Sequence, residues 1–122
     1  MTILSKTGRI VMVREPISGR FGMPRLLAAL ASNSLKVKWD GMSEISVITF
    51  NRKKTIAKLI HIDQFGCDVT QRVLNKGKFK IMLESNLIPK DLSRSELERL
   101  LMDGTVEGEF QNALAEKILK SS

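Results

Sequence analysis

The stretch EISVITFNRKKTIAKLIHID, residues 44–63, decides the fold class. Glu44 to Phe50 carries Ile45, Val47, Ile48 and Phe50, a run of β-branched and aromatic side chains suited to a pleated surface. Ile56 to Asp63 carries Ile56, Leu59, Ile60 and Ile62, with a less regular alternation. Asn51-Arg52-Lys53-Lys54 is a charged connection between them. Two strand-length apolar runs across a short polar link read as a hairpin.

Working outward, similar runs recur on both sides. Arg9 to Glu15 alternates, with Ile10 and Met12 on one face and Val11 and Val13 on the other. Leu35, Val37 and Trp39 alternate with Lys36 and Lys38, and Asp40-Gly41 follows as a turn. Asp63 to Gly66 reads as a turn, then Cys67, Val69 and Val73 continue the pattern. Asn75-Lys76-Gly77 supplies a further turn before Phe79, Ile81 and Leu83. Between the first runs, Pro16, Gly19 and Gly22 force a loop. Pro24 then suits a first helical turn, Leu26, Leu27 and Leu30 recur at helical spacing, and Asn33 marks the end. Near the C-terminus, Pro89 and Asp91 mark a break. Ser93 with Glu96 forms a capping-box pattern, Leu97, Leu100 and Leu101 a helical stripe, and Gly104 a stop. A second short helix is expected from about Glu109 to Leu119, with Phe110, Leu114 and Ile118 inward. Consecutive strands joined by short turns favour an antiparallel meander. The expectation is a single α+β domain over 1–122, with its core at about 8–104. It has a mainly antiparallel meander of five to six strands, one N-terminal helix and two short C-terminal helices, the last at about 109–120.

The chain's 122 residues are enough to bury a core without metal or disulfide. Aromatics make up only 5% of them, so that core must be aliphatic. One cysteine, Cys67, permits no internal disulfide, which fits a reducing compartment. The polar N-terminus lacks the apolar stretch of a signal peptide, and no run reaches the ~18 apolar residues of a membrane helix. The expectation is a cytoplasmic protein with no membrane partner.

Signs of catalysis are sparse. There is no P-loop, and Gly19, Gly22 and Gly66 are too dispersed for a dinucleotide fingerprint. One histidine and one cysteine cannot make a typical structural zinc site. Cys67 and His61 read better as a small buried hydrophobe and a satisfied strand residue than as a nucleophilic pair. Asp40, Glu44, Asp63, Asp68 and Glu84 fall in the sheet region without a two-metal pattern. No catalytic residue, metal or cofactor is assigned.

The charge is more informative. Residues 1–80 hold fifteen Lys and Arg against five Asp and Glu, a net +10, whereas residues 81–122 carry a net −3. A basic body points to a polyanion partner. Arg52, Lys53, Lys54 and Lys58 cluster at one presumed hairpin, and Arg72, Lys76, Lys78 and Lys80 at another. Solvated faces and edge protection also account for such lysines. No base-reading helix is evident, and aromatics for stacking on single strands are few, so DNA binding would be weakly sequence-specific.

Three blocks then resemble the second-reading-frame (TnpB-type) accessory proteins of the IS66 insertion-sequence family. Ile17-Ser18-Gly19-Arg20-Phe21-Gly22-Met23-Pro24-Arg25-Leu26 is similar to a V-D-M-R-K-G-F-D-G-L-type loop leading into a Leu/Ala helix. Asn51-Arg52 with Lys58-Leu59-Ile60-His61-Ile62-Asp63 resembles an N-R-x-x-x-x-x-K-L-L-H-W-D-type strand. Arg72-Val73-Leu74-Asn75-Lys76-Gly77-Lys78-Phe79 resembles a K-R-L-E-K-G-R-F-type hairpin. The leucine-rich stretch Ser93 to Leu101 resembles the family's closing helix, so the likeness covers about residues 8–104. Ser18 stands for an aspartate, Ile62 for a tryptophan, and Thr70 and Gln71 for frequent tyrosines. The resemblance implies a part in transposition beside a separate, larger transposase that holds the catalytic carboxylates.

Three functions follow as expectations. The first is a non-catalytic transposition accessory whose Arg20, Arg52, Lys53, Lys54, Lys58, Arg72, Lys76, Lys78 and Lys80 contact DNA phosphates, alone or in a transposase complex. The second is a protein-interaction module that docks its C-terminal helices on the transposase or another protein of the element. The third, less favoured, is a metal-dependent nuclease using Asp63 or Asp68. Self-association is compatible with each.

Overall fold

The computed structural model describes residues 8–84 and 87–104. Five strands and two helices follow in the order β1 (Arg9–Met12), α1 (Met23–Ala31), β2 (Ile45–Phe50), β3 (Ile56–Asp63), β4 (Gly66–Val73), β5 (Lys90–Leu92) and α2 (Arg94–Asp103). The sheet order is β4-β3-β2-β1-β5.

The sheet is mixed, which corrects the expected meander. β2, β3 and β4 form the antiparallel run read from the sequence. β1, however, pairs parallel to β2, with Val11 opposite Val47. A parallel pair needs a crossover, and α1 lies within the one that joins these strands. With β1 on one edge of β2 and β3 on the other, β2 has no edge left with which a strand at 35–39 could pair. That segment is irregular, and Lys36 takes a positive φ of 61° that breaks the extension. Its alternation still had meaning, because Leu35 and Val37 are buried. Phe79 to Leu83 is likewise no regular strand; Phe79 and Ile81 insert into the core while Lys80 and Met82 face out. The fifth strand lies instead at Lys90–Leu92, antiparallel to β1. Two helices are present among the described residues rather than three. The helix expected at 109–120, with Phe110, Leu114 and Ile118, lies outside them.

Both faces of the sheet are covered, so every residue of β2 is buried. One face packs Ile10, Met12, Ile48, Phe50 and Leu59 against Phe79, Ile81 and the α2 leucines Leu97 and Leu100. Phe50 and Phe79 meet edge to face, with ring centroids 5.2 Å apart. The other face packs Val11, Val13, Ile45, Val47 and Ile60 against Leu26 and Leu30 of α1 and against Leu35 and Val37.

Local chemistry sets the helix ends. Pro24 occupies the first turn of α1, where its missing N–H costs nothing, and Asn33 turns left-handed (φ 63°) just beyond Ser32. Ser93 and Glu96 cap α2 reciprocally, and Gly104 ends it in the left-handed conformation. No described helix is long and apolar enough to cross a membrane.

Candidate nucleic-acid interface

The turn between β2 and β3 is built by Asn51. Its side-chain oxygen accepts from the N–H groups of Thr55 and Ile56, each at 2.9 Å, and its amide donates to the Thr55 hydroxyl at 3.0 Å. Its backbone carbonyl accepts from Lys54 N–H. Lys54 sits at φ 62°, and the turn presents Arg52 and Lys53 to solvent.

Two other segments close on this turn. On one side, Ile17 N–H donates to Phe50 carbonyl at 2.8 Å, and Lys58 Nζ reaches Phe21 carbonyl at 2.6 Å. Gly19 lies so close that an added Cβ would stand 3.1 Å from Ile56. The loop therefore carries exposed Arg20 to the turn. On the other side, Leu74 N–H donates to Thr55 carbonyl and Phe79 N–H to Lys54 carbonyl, at 2.9 and 2.7 Å. That holds exposed Lys76 and Lys78 at the same end, with Arg72 next to the last residue of β4. Lys80 follows buried Phe79, and its N–H bonds to Gly104 carbonyl at the end of α2.

Thus the loop, the hairpin turn and the 74–80 segment gather at one end of the sheet. Their cations are not equivalent. Lys58 is half-buried and engaged as a tether, while Arg52, Lys53, Lys76 and Lys78 are exposed. Arg25, which sequence reasoning passed over, joins them with its guanidinium 4.9 Å from the centre of the Phe21 ring. Its signal was the spacing of four from Phe21 into the first turn of α1. Across residues 14–22, 51–58 and 71–80, Glu15 is the only carboxylate.

The opposite end holds most of the sheet's carboxylates, together with Arg9, which pairs with Asp91 and donates to the Lys38 carbonyl. Glu44 and Asp63 flank His61, whose ring is buried. His61 Nδ1 meets the Ser46 hydroxyl at 2.7 Å, and Nε2 lies 3.5 Å from Glu44 and 3.4 Å from Asp63. Asp68 stands across the ladder from His61. The Phe65 N–H chiefly holds the Asp63 carboxyl below its ordinary value; burial opposes this, and the Gly66 N–H and His61 reinforce it. Asp40 organises its own turn, accepting from Met42 and Ser43. Cys67 pairs across the ladder with Ile62, not His61, so it lies on the other face, with its thiol 3.3 Å from the Met23 sulfur. A Cys-His nucleophilic pair is therefore not formed.

The IS66 Orf2 like protein family matches residues 8–111, most of the chain and all the elements just described. The chain belongs to that family. As an IS66 Orf2-like protein it is a transposition-associated accessory protein. No curated protein and no solved structure matches it significantly. The three blocks that carry the sequence resemblance fall on the loop at 17–26, on the turn and strand at 51–63, and on the segment at 72–79. Two of the three therefore meet the third at the basic end.

Proposed function

We propose that this IS66 Orf2-like protein is a non-catalytic accessory that grips DNA phosphates of its element, or of a transposase–DNA complex, with the basic end of its sheet. The carrying observation is the convergence of two further cationic segments on the cationic Asn51 turn, with hydrogen bonds from both. Arg20, Arg52, Lys53, Lys54, Arg72, Lys76, Lys78 and Lys80 supply the charge, and Lys58 sets the loop's position. Backbone phosphates are the target that such point charges and forks suit, since each contact releases condensed counterion. α1 turns its leucines onto the sheet, and its exposed face carries Pro24, Arg25, Ala28 and Ala31, with only Arg25 able to donate to a base edge. Recognition is accordingly expected to depend on charge far more than on base sequence.

The test is fluorescence anisotropy with duplexes of unrelated sequence across a salt series. The expected result is a linear fall of log affinity with log salt, with a slope of about −0.9 per phosphate contacted. Absence of binding at low salt, or an affinity indifferent to salt, would refute the proposal. A transposase pull-down with nuclease treatment separates direct protein docking from association through DNA.

A further inference from the structure

The geometry points to a divalent-metal site at the carboxylate-rich end, formed by Glu44, His61 and Asp63, that takes a first-row transition ion of the Zn²⁺ class. One candidate donor atom from each residue lies within 4.8 Å of the other two. His61 Nε2 stands 3.5 Å from Glu44 Oε1 and 3.4 Å from Asp63 Oδ2. Those separations are long for a good N–H···O hydrogen bond. They match the edge of a tetrahedron whose metal–ligand bonds are about 2.1 Å, which is roughly 3.4 Å. One imidazole with two carboxylates is a borderline donor set, which favours a transition ion over Mg²⁺ or Ca²⁺.

Further features of the histidine and its two carboxylate neighbours fit metal ligation. The second ring nitrogen of His61 is held by the buried Ser46 hydroxyl at 2.7 Å, the kind of outer contact that fixes ring orientation. Asp63 Oδ1 is committed to the Phe65 and Gly66 N–H groups, which leaves Oδ2 for an ion. Gly8 lies against the Glu44 carboxyl; an added Cβ would sit 3.2 Å from its carbon. Glu44 and Asp63 also line an open cavity of about 310 Å³ with Met42, Gln64 and Phe65, so an ion has an entry path and room for a water ligand. The charges balance as well, because two carboxylates and a neutral imidazole offset one divalent ion. In the bound form Nε2 gives its lone pair to the metal and Nδ1–H donates to Ser46.

Seven residue steps of β3 separate Ile56 from Asp63, roughly 23 Å at 3.3 Å per step. The site is thus remote from the basic end and not arranged to cleave a backbone bound there. Its role is to tie β2 to β3 at the end away from the DNA. The metal reading and the DNA reading can fail separately.

His61 is the only histidine, so its ring resonances are unambiguous. The tag-free, chelator-stripped chain should bind one Zn²⁺ by calorimetry, and Zn²⁺ should shift the Nε2 resonance of ¹⁵N-labelled protein. Glu44→Gln and Asp63→Asn should each weaken binding at least tenfold, whereas Cys67→Ser should leave it unchanged. A His61 spectrum blind to Zn²⁺ in the unaltered chain overturns the site, whatever the variants' folding. So does one-to-one binding that survives both carboxamide changes or is lost with Cys67.

Discussion

Lys58 shows how a residue's role depends on its neighbours. Within N-R-K-K-T-I-A-K it reads as one more cation of a basic hairpin. In the fold its ammonium donates to Phe21 carbonyl at 2.6 Å, across 37 residues of sequence. Lys58→Met keeps the aliphatic stem and removes that charged hydrogen bond. Urea melts are expected to show a loss of about 1–2 kcal/mol. An unchanged midpoint would mean the tether is not made in solution. Asp40 offers a second test at this scale. Its carboxyl is held below the ordinary 3.8, first by the Ser43 N–H and then by the Met42 N–H and the Ser43 hydroxyl. A value depressed by folding contributes stability that is fully present above the unfolded value. That contribution is lost as pH falls through the folded value. Asp40→Asn should therefore flatten the fall in stability on acidification below pH 3.8, measured by denaturant melts at a series of pH values. Identical acid limbs in both proteins would contradict this assignment. Both roles differ in how readable they were. Asp40-Gly41 was legible as a turn because its chemistry is local, whereas the Lys58 contact was not, because its acceptor is a loop carbonyl.

At the scale of elements, the best-read pieces are those whose determinants lie within a few residues. The Ser93–Glu96 box, the stop at Gly104 and Pro24 in the first turn of α1 all stand where local chemistry put them. Ser93→Ala removes the acceptor for Glu96 N–H and should cost about 1 kcal/mol, with α2 the first element to lose amide-exchange protection. Uniform exchange across α2 and the sheet would argue against the cap's role. The segments at 35–39 and 79–83 were misread for one shared reason. Alternation reports which side chains face the core, and it did so correctly for Leu35, Val37, Phe79 and Ile81. It does not report whether a backbone ladder is available. β5 was hidden by the converse problem, since three residues beside Pro89 carry too little pattern to announce a strand.

For the whole molecule, the arrangement that matters is polarity along the sheet. Cations gather around the Asn51 turn, and Glu44, Asp63 and Asp68 lie toward the other end of the same strands. Arg52→Glu with Lys76→Glu reverses charge on two segments that meet there and touches no core residue. The pair should reduce the magnitude of the salt slope of DNA binding by about 1.8 at little cost to thermal stability. A slope equal to that of the unaltered chain would show that these cations do not meet phosphate. By itself the sequence determined the β-rich core, both described helices with the caps of α2, the excess of cations and the family. All of these rest on composition, periodicity and motifs within short windows. Only the tertiary structure decided that β1 enters parallel beside β2, that three cationic segments share one end, and that His61 lies between two carboxylates. The reason is physical: strand pairing and loop docking depend on which edges and carbonyls are still free once the rest of the chain has packed, and no local stretch encodes that.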